Sequence, residues 1–290
     1  MYKVYNIGDI NILLDIPYEL HMQDESLDFM RDLREDDNIS DMTQFKFTLV
    51  ESLSEPADAY SIELRKYKEY NGCMRTWFLP KPDADPYAMV QMDFSPFKFE
   101  CFYLEDSIEY MNYSHNLINL MGLESIFTFN HGILLHSSFI RYNDYSIVFT
   151  APSGTGKSTQ ASLWAKYQGA EILNGDRTGI RKKDGVWMCY GLPYAGSSCI
   201  YHNTKTPLKA IFVLRQKDEN QIRRLAPAEA FVHLYTESHQ HSWDKHYTSV
   251  LVDNINELVT EIPVFMLSCL PDEGAVNMAK QAIEDLDESR

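Results

Sequence analysis

The chain has 290 residues, of which 44% are hydrophobic, so it can form a substantial core in one large domain or two modest ones. Its 42 acidic residues outnumber the 26 basic ones and give a formal net charge of -16. A surface this negative repels nucleic acids and anionic membranes, and we therefore expect neither as a general partner.

The cysteines and the apolar segments predict the compartment. Five cysteines are scattered along the chain, never in a C-x-x-C arrangement, which argues against a disulfide framework and against a structural zinc site. The first residues lack the uninterrupted apolar stretch of a signal peptide. No apolar run approaches the roughly 20 residues that a membrane-spanning helix needs. These features predict a cytoplasmic protein.

The first hundred residues predict mainly strands, because apolar and polar residues alternate between clusters of Pro and Asp. The predicted strands lie within residues 2–16, 44–50, 59–65, 87–93 and 97–103. The acidic stretch 24–41 is predicted to be a helix and loop facing water. Short connections favour an antiparallel sheet. We therefore predict an antiparallel β-rich (α+β) domain at residues 1–128, a candidate for substrate or partner recognition.

Residues 110–130 have helical apolar spacing and predict one helix that joins the two halves. Strands and helices then alternate, which predicts an α/β domain at residues 129–290. Its predicted elements are strands at 132–140, 145–150, 171–174, 208–214 and 264–268, a hairpin at 178–190, and helices at 157–167, 227–238, 248–260 and 272–286.

Two polar clusters in this half are interpreted as structural. The basic run 181–183 precedes Asp184-Gly185 and is interpreted as the solvated tip of a hairpin rather than a binding patch. His239, His241 and His246 could form a metal site, but the polar residues between them favour a polar loop.

The segment 151–159, APSGTGKST, lies between a predicted buried strand and a predicted helix. Its glycines allow backbone N–H groups to converge on an anion, and the N-terminus of the helix favours negative charge. Lys157 can reach the terminal phosphates of a nucleotide, and the Ser158 hydroxyl can bind Mg²⁺. The segment therefore predicts a phosphate-binding loop for a nucleoside triphosphate; the alternative is a solvent-exposed glycine-rich turn. The nucleotide-binding residues would be Ser153, Gly154, Thr155, Gly156, Lys157, Ser158 and Thr159.

Three further side chains are candidates for the same site. Asp176 ends the strand after the loop helix, where it can hold Mg²⁺ or accept a proton, although Asn-Gly-Asp is also a common turn. His136 lies on the strand before the loop strand, and a lone histidine there is more often a hydrogen-bonded core residue. Arg177 can offset phosphate charge or pair with surface acids.

The stretch from His136 to Gly196 resembles the catalytic domain of HPr kinase/phosphorylase, which is itself related to ATP-dependent phosphoenolpyruvate carboxykinase. The resemblance depends on the histidine, the G-K-S loop and the short strand ending at Asp176. Small bacterial HPr-kinase-like proteins are more similar still, since they share Asn174-Gly-Asp176, Tyr190-Gly-Leu-Pro193 and Pro207-Leu-Lys-Ala-Ile211. Some of these relatives phosphorylate a serine of a peptide, and others act on small molecules.

The resemblance implies an α/β P-loop domain of the HPr-kinase/carboxykinase type, with His136, Asp176 and Lys157 as catalytic residues. It also implies ATP and Mg²⁺ as cofactors, with Arg177 at the nucleotide and with Ser158 and Asp176 on the metal. The chain departs from the family in two places. Gly175 replaces the first residue of an acidic pair, and Tyr190-Gly191 stands where a Glu-x-x-Arg-Gly segment is expected.

The predicted function is therefore transfer of the γ-phosphoryl group of ATP to a hydroxyl, foremost that of a serine in a protein or peptide. Two alternatives stay open. The missing acid fits a catalytically inactive module that senses nucleotide and regulates a partner. The second alternative is a small-molecule enzyme that acts on free serine or performs carboxykinase-like chemistry on an organic acid.

Overall fold

The computed structural model describes residues 2–70, 72–94, 97–194, 199–241 and 244–288. Its contacts divide the chain into two compact units, Met1–Leu123 and Glu124–Arg290. The division predicted from the sequence, between residues 128 and 129, falls inside a short helix at Leu123–Phe129. Gly196, the end of the stretch that resembles HPr kinase, lies outside the described residues.

The first unit contains a nine-stranded sheet among the described residues, in the order β3-β1-β2-β4-β9-β8-β7-β6-β5. Neighbouring strands are antiparallel except at β4, which runs parallel to both β2 and β9. The antiparallel prediction is therefore wrong at β4, because the long segment between β2 and β4 acts as a crossover connection. The strands are β1 (Tyr2–Ile7), β2 (Ile10–Asp15), β3 (Met30–Asp32), β4 (Thr43–Leu49), β5 (Tyr60–Ile62), β6 (Arg65–Tyr70), β7 (Cys73–Phe78), β8 (Ala88–Phe94) and β9 (Phe97–Tyr103).

One prediction in this unit is refined by the structure, and a second one needs correction. The alternating segment 2–16 is a hairpin, because Gly8 and Asp9 have φ angles of 60° and 59° and form the tight turn that joins β1 to β2. The acidic stretch 24–41 is only partly helical and only partly solvent-facing. Helix α1 covers Asp24–Leu27, and β3 follows with Phe29 and Met30 buried beside β1.

The predicted helix at 110–130 is three short helices: α2 (Ile108–Met111), α3 (Ser114–Met121) and α4 (Leu123–Phe129). Gly122 ends α3 in the left-handed conformation, with a φ of 59°. Glycine adopts this conformation at helix C-termini without steric cost, so it ends the helix although the apolar periodicity continues. Among the described residues, no helix of the chain combines the length and apolar character that spanning a bilayer requires.

The second unit has mixed α/β structure around an eight-stranded sheet of described residues. Every element predicted for this half is present; strand β16 was not predicted. Strand β10 pairs with β11, β12 and β13, and β11, β15 and β17 run parallel to one another. The elements are β10 (Gly132–Tyr142), β11 (Tyr145–Thr150), α5 (Lys157–Gln168), β12 (Glu171–Asn174), β13 (Arg177–Lys183), β14 (Val186–Tyr190), β15 (Lys205–Gln216), β16 (Gln221–Arg224), α6 (Pro227–Glu237), α7 (Lys245–Glu261), β17 (Val264–Cys269) and α8 (Glu273–Glu288).

Both faces of this sheet are buried, and β15 shows why the chain forms two core layers. Ile211 and Val213 pack with residues of α6 and α7, whereas Phe212 and Leu214 pack with residues of α5 and α8. Successive strand residues point to opposite faces, so a continuous apolar run is what a strand covered on both sides requires. Because β11, β15 and β17 are parallel, their carboxyl ends lie at one edge of the sheet, where ligand sites of α/β proteins form.

The basic run 181–183 lies in the predicted hairpin, directly before its turn, but its residues are half-buried rather than solvated. The ammonium of Lys182 donates hydrogen bonds to Glu257 at 2.8 Å and to Glu261 at 2.5 Å, both on α7. The Arg181 guanidinium donates to the Asn130 carbonyl at 2.7 Å. Only Asp184 and the following glycine form the turn itself. Arg181 and Lys182 therefore fasten the hairpin to Asn130 and to α7.

Candidate functional site

The segment 151–159, called the glycine loop below, connects the end of β11 to the start of α5. Gly154 and Gly156 have φ angles of 78° and 115°, values that side chains other than glycine rarely tolerate. Helix α5 begins at Lys157, directly after Gly156, and no described side chain caps its N-terminus. The first N–H groups of the helix therefore point into the loop without a side-chain acceptor.

Lys157 is folded back over the loop that precedes it. Its ammonium donates to the Ala151 carbonyl at 2.8 Å and lies 3.4 Å from that of Pro152, and the residue is buried. Burial lowers the pKa of the Lys157 ammonium, and the negative charges of Glu237 and Asp176 act in the opposite direction. A buried cation thus faces the loop with two carboxylates near it.

Asn174 fixes the turn that carries Asp176. It lies fully buried at the end of β12, and its side-chain oxygen accepts the N–H groups of Asp176 at 2.9 Å and of Arg177 at 3.0 Å. Its amide group donates to the Leu192 and Tyr194 carbonyls, both at 3.0 Å. We did not assign Asn174 a role from the sequence, although the tendency of Asn to bond the backbone two residues ahead is a usable signal.

This turn is adjacent to the first residues of α5. The Ser158 hydroxyl lies 3.4 Å from the Gly175 carbonyl, and the Asp176 carbonyl accepts the Ser137 N–H at 3.1 Å. The side chains of Asp176 and Arg177 are each about one-third exposed, with 3.5 Å between Asp176 Oδ2 and Arg177 Nε. The Arg177 guanidinium also lies 4.8 Å from the centre of the Tyr194 ring. Ser158 and Gly175 are 17 positions apart in the chain, and the fold makes them neighbours.

His136 is paired with a residue that sequence analysis missed. It lies opposite Arg177 where β10 pairs with β13, and its Nδ1 is 3.2 Å from Glu237 Oε2. Glu237 is the last residue of α6, and its side chain is only 12% exposed, compared with 33% for His136. The two residues are 101 positions apart in the chain, so no local pattern could indicate the pair.

Two clefts open around these groups. The cleft named here the histidine cleft has a volume of ≈ 400 Å³, and the cleft beside the glycine loop, named the loop cleft, measures ≈ 290 Å³. The histidine cleft is lined by His136, Asp176, Arg177, Thr236, Glu237, Ser238, His239 and Gln240. The loop cleft is lined by Gly154, Thr155, Gly156, Thr159, Gln160, Leu214, Gln216, Lys217, Cys269, Leu270 and Pro271.

The three histidines considered as metal ligands have separate surroundings. The His241 ring lies 3.3 Å from a Glu124 oxygen and stacks on Tyr247, whereas His246 stacks on Phe129. His239 lines the histidine cleft. Within the described residues, no group of three His, Cys, Asp or Glu side chains is arranged to hold a metal ion.

Comparison with known proteins gives one family and a distant structural likeness. A solved structure, the Hpr(Ser) kinase/phosphatase from Coxiella burnetii, is 11% identical, covers 54% of this chain and 95% of that chain, and superposes with a TM-score of 0.31. No curated protein matches the chain. The family model described as SynChlorMet cassette protein ScmC matches residues 105–272, a stretch that includes every candidate residue described above. Because this match spans more than half of the sequence, the chain belongs to the ScmC family.

Proposed function

We propose that this protein binds ATP and Mg²⁺ at the glycine loop and transfers the γ-phosphoryl group to a hydroxyl, that of a serine in a protein or peptide. The observation that carries the proposal is the position of Lys157. It is a buried cation at the start of an uncapped helix, and the negative charges of Glu237 and Asp176 act on it. Such a lysine gains most from a polyanion that replaces the carbonyl groups it now contacts.

In this proposal the loop amides and Lys157 hold the β- and γ-phosphates. The rest of the nucleotide extends into the loop cleft, between the loop and the ends of β15 and β17. Gln160 supports this assignment, since it lines that cleft, is 2% exposed, and has a side-chain oxygen without a hydrogen-bond partner in the described residues. A buried polar atom of this kind favours a polar ligand group or water.

Ser158 and Asp176 fit the requirements of Mg²⁺. This ion prefers oxygen ligands, and in phosphate-handling enzymes it is held by one or two protein oxygens together with the phosphates and water. The Gly175 carbonyl close to the Ser158 hydroxyl brings the Asp176 turn beside the loop helix. When bound there, Mg²⁺ would neutralise part of the negative charge on the phosphate oxygens.

The transfer itself requires positioning and charge stabilisation more than covalent chemistry by the protein. The acceptor oxygen forms a bond to the γ-phosphorus while the bond from that phosphorus to the β,γ-bridging oxygen breaks, and ADP leaves with the electron pair. His136 or Asp176 orients the hydroxyl and takes its proton. Lys157 and Arg177 offset the charge that develops on the phosphate oxygens.

The acceptor would enter through the histidine cleft, which holds both candidate proton acceptors. A phosphate site by itself supplies little acceptor specificity. We therefore propose that the β-rich unit at the N-terminus recognises the substrate or a partner.

The experiment is transfer of label from γ-labelled ATP in the presence of Mg²⁺ to free serine, to HPr and to candidate peptides. Asp176→Asn should abolish transfer, whereas Asp184→Asn, which removes the same charge at a hairpin turn, should not. Label transferred equally by wild type and Asp176→Asn would contradict the assigned role of Asp176. Label on none of the acceptors, despite tight ATP binding, would favour the second candidate.

That second candidate is a nucleotide-sensing module without turnover. One observation favours it: the Asp176 turn carries a single carboxylate, because residue 175 is glycine. In such a module ATP would change the affinity for a partner, and Asp176→Asn would leave that nucleotide-dependent binding intact.

A further inference from the structure

We propose that Glu237 is a positioning residue that holds His136 in the protonation form needed to accept the proton of the substrate hydroxyl. This inference rests on the kinase function proposed above and assigns the proton to His136 rather than Asp176. The two carboxylates near Lys157 then have different roles, since Asp176 holds the metal ion and Glu237 orients the base.

The hydrogen bond between the two side chains determines which ring nitrogen is available. An ionised carboxylate can only accept hydrogen bonds, so a Glu237 oxygen 3.2 Å from Nδ1 favours the tautomer that carries its proton on Nδ1. In the neutral imidazole the second nitrogen, Nε2, then has a free lone pair. The partly exposed His136 ring borders the histidine cleft, where the acceptor hydroxyl would lie.

The backbone holds Glu237 in place independently of this hydrogen bond. Directly after α6, Ser238 forms a bridge with Leu135, and the His239 N–H donates to the Leu134 carbonyl at 3.2 Å. The segment that follows the helix is thus fastened to β10 beside His136. The Ser238 hydroxyl also donates to the Tyr235 carbonyl at 2.9 Å and closes the end of the helix. Glu237 therefore meets His136 as a consequence of the fold.

The two carboxylates whose charges act on Lys157 belong to different elements. Asp176 comes from the turn after β12, next to Ser158, and Glu237 comes from the end of α6, next to His136. The charges of both raise the pKa of Lys157 against the effect of burial. With Asp176 holding Mg²⁺, its carboxylate would have fewer lone pairs for a proton, and His136 would be the better acceptor.

The proton then follows a defined path. As the acceptor oxygen bonds to the γ-phosphorus and ADP departs, the hydroxyl proton moves to His136 Nε2. The imidazolium that forms is stabilised by the negative charge of Glu237, while Nδ1 keeps its own proton. Lys157, Asp176, Arg177 and His239 are the other ionisable groups near the pair. Glu237 also lines a third cleft, together with the ionisable residues Arg215, Arg223, Glu229 and His233.

The first test does not depend on kinase activity. In the full-length protein labelled with ¹⁵N, histidine ring spectra report which nitrogen carries the proton, and His136→Gln identifies the resonance. We expect His136 to be protonated at Nδ1, and Glu237→Ala to convert it to a mixture of tautomers. Glu229→Gln, on the same helix but paired with Arg223 at the surface, should leave the spectrum unchanged. A His136 protonated at Nε2, or indifferent to Glu237→Ala, would overturn the inference.

The second test measures transfer by the same proteins. Glu237→Gln should lower kcat on the order of 100-fold while leaving the KM for ATP within about twofold, and Glu237→Asp should recover part of the loss. Glu229→Gln is again the control, and thermal melting verifies folding of each variant. Normal kcat in Glu237→Gln would overturn this inference alone. Absence of transfer by wild type, with the expected tautomer, would instead overturn the proposed kinase function.

Discussion

The two units of this chain are both built around large sheets and both hold buried ionisable groups that stay neutral, but the C-terminal unit also buries a lysine beside a glycine-rich loop. In the N-terminal unit burial raises the pKa values of Tyr18, Tyr87 and Cys101, so these groups stay neutral within an apolar core. In the C-terminal unit Lys157 is buried with its charge directed towards a loop and near two carboxylates. Burial raises the pKa of Cys189 and Tyr247 in the C-terminal unit as well, so the two units differ in the buried lysine and not in the effect of burial on their other groups.

The position of the candidate site follows from strand direction. The N-terminal sheet is largely antiparallel, so its connections leave the sheet alternately at opposite edges. In the C-terminal unit β11, β15 and β17 are parallel, and the segments after them meet at one edge. Polar residues that follow several strands therefore converge there, and the candidate site is the result.

The largest expected effect concerns Lys157, the buried lysine of the C-terminal unit. Lys157→Ala should abolish phosphoryl transfer and weaken ATP binding by about 10- to 100-fold, because about 1.5–3 kcal/mol of charge-assisted hydrogen bonding is lost. Calorimetric titration with ATP measures the affinity, and circular dichroism should show an intact fold. Lys166→Ala, on the same helix with its ammonium near the exposed Tyr167 hydroxyl, is the control and should bind normally.

The two glycines that flank α5 test whether the loop conformation matters for the ligand or only for stability. Gly156 precedes the helix with a φ of 115°, and Gly169 follows it with a φ of 66°. Alanine at either position should lower the free energy of unfolding by about 1–2 kcal/mol, since both angles are unfavourable for a side chain. Only Gly156→Ala should also weaken ATP binding. Equal loss of affinity in both variants would contradict a specific role for the loop.

A smaller effect compares one cysteine from each unit. Cys269 lines the loop cleft and Cys73 lies in the N-terminal sheet; both are half-buried. The pKa of Cys269 is raised chiefly by burial, and that of Cys73 chiefly by its hydrogen bond to Asp93. ATP should slow iodoacetamide labelling of Cys269 several-fold and leave Cys73 unchanged, as measured by mass spectrometry of the peptides. Protection of Cys73, or none of Cys269, would place the nucleotide elsewhere.

The smallest expected effect concerns acid stability of the N-terminal unit. The Arg31 guanidinium and the Arg34 N–H donate to Asp37 and lower its pKa from 3.8 to about 2. Because the folded-state pKa is depressed, the stabilisation is complete above pH 3.8 and is lost as the pH falls towards 2.

Asp37→Asn should therefore remove the loss of stability that the wild type shows as the pH falls from 3.8 to about 2. Hydrogen exchange of the β1–β3 pairing measures it, since Arg31 lies in β3. Asp36→Asn removes the same charge one residue away and should retain the slope. Neither change should alter ATP binding at neutral pH.

Much of the C-terminal unit could be predicted from the sequence because its signals are local. The loop glycines, the lysine and the strand-to-helix change occur within one short segment, and buried strands that need cover on both faces form recognisable apolar runs. The sequence pattern was less informative where a short turn or a single glycine interrupts a longer run of apolar periodicity. Gly122 ended a helix whose apolar spacing continued, and the Gly8–Asp9 turn divided one alternating segment into two strands.

The sequence by itself determined the glycine loop, the lysine that follows it and the strands that frame it, because backbone freedom and apolar periodicity are properties of neighbouring residues. Only the tertiary structure decided that Asn174 anchors the Asp176 turn and that Glu237 meets His136. Those contacts depend on strand register and on where a helix ends against a strand far away in the chain. No pattern of neighbouring residues encodes a distance between such positions, since packing of the whole unit sets it.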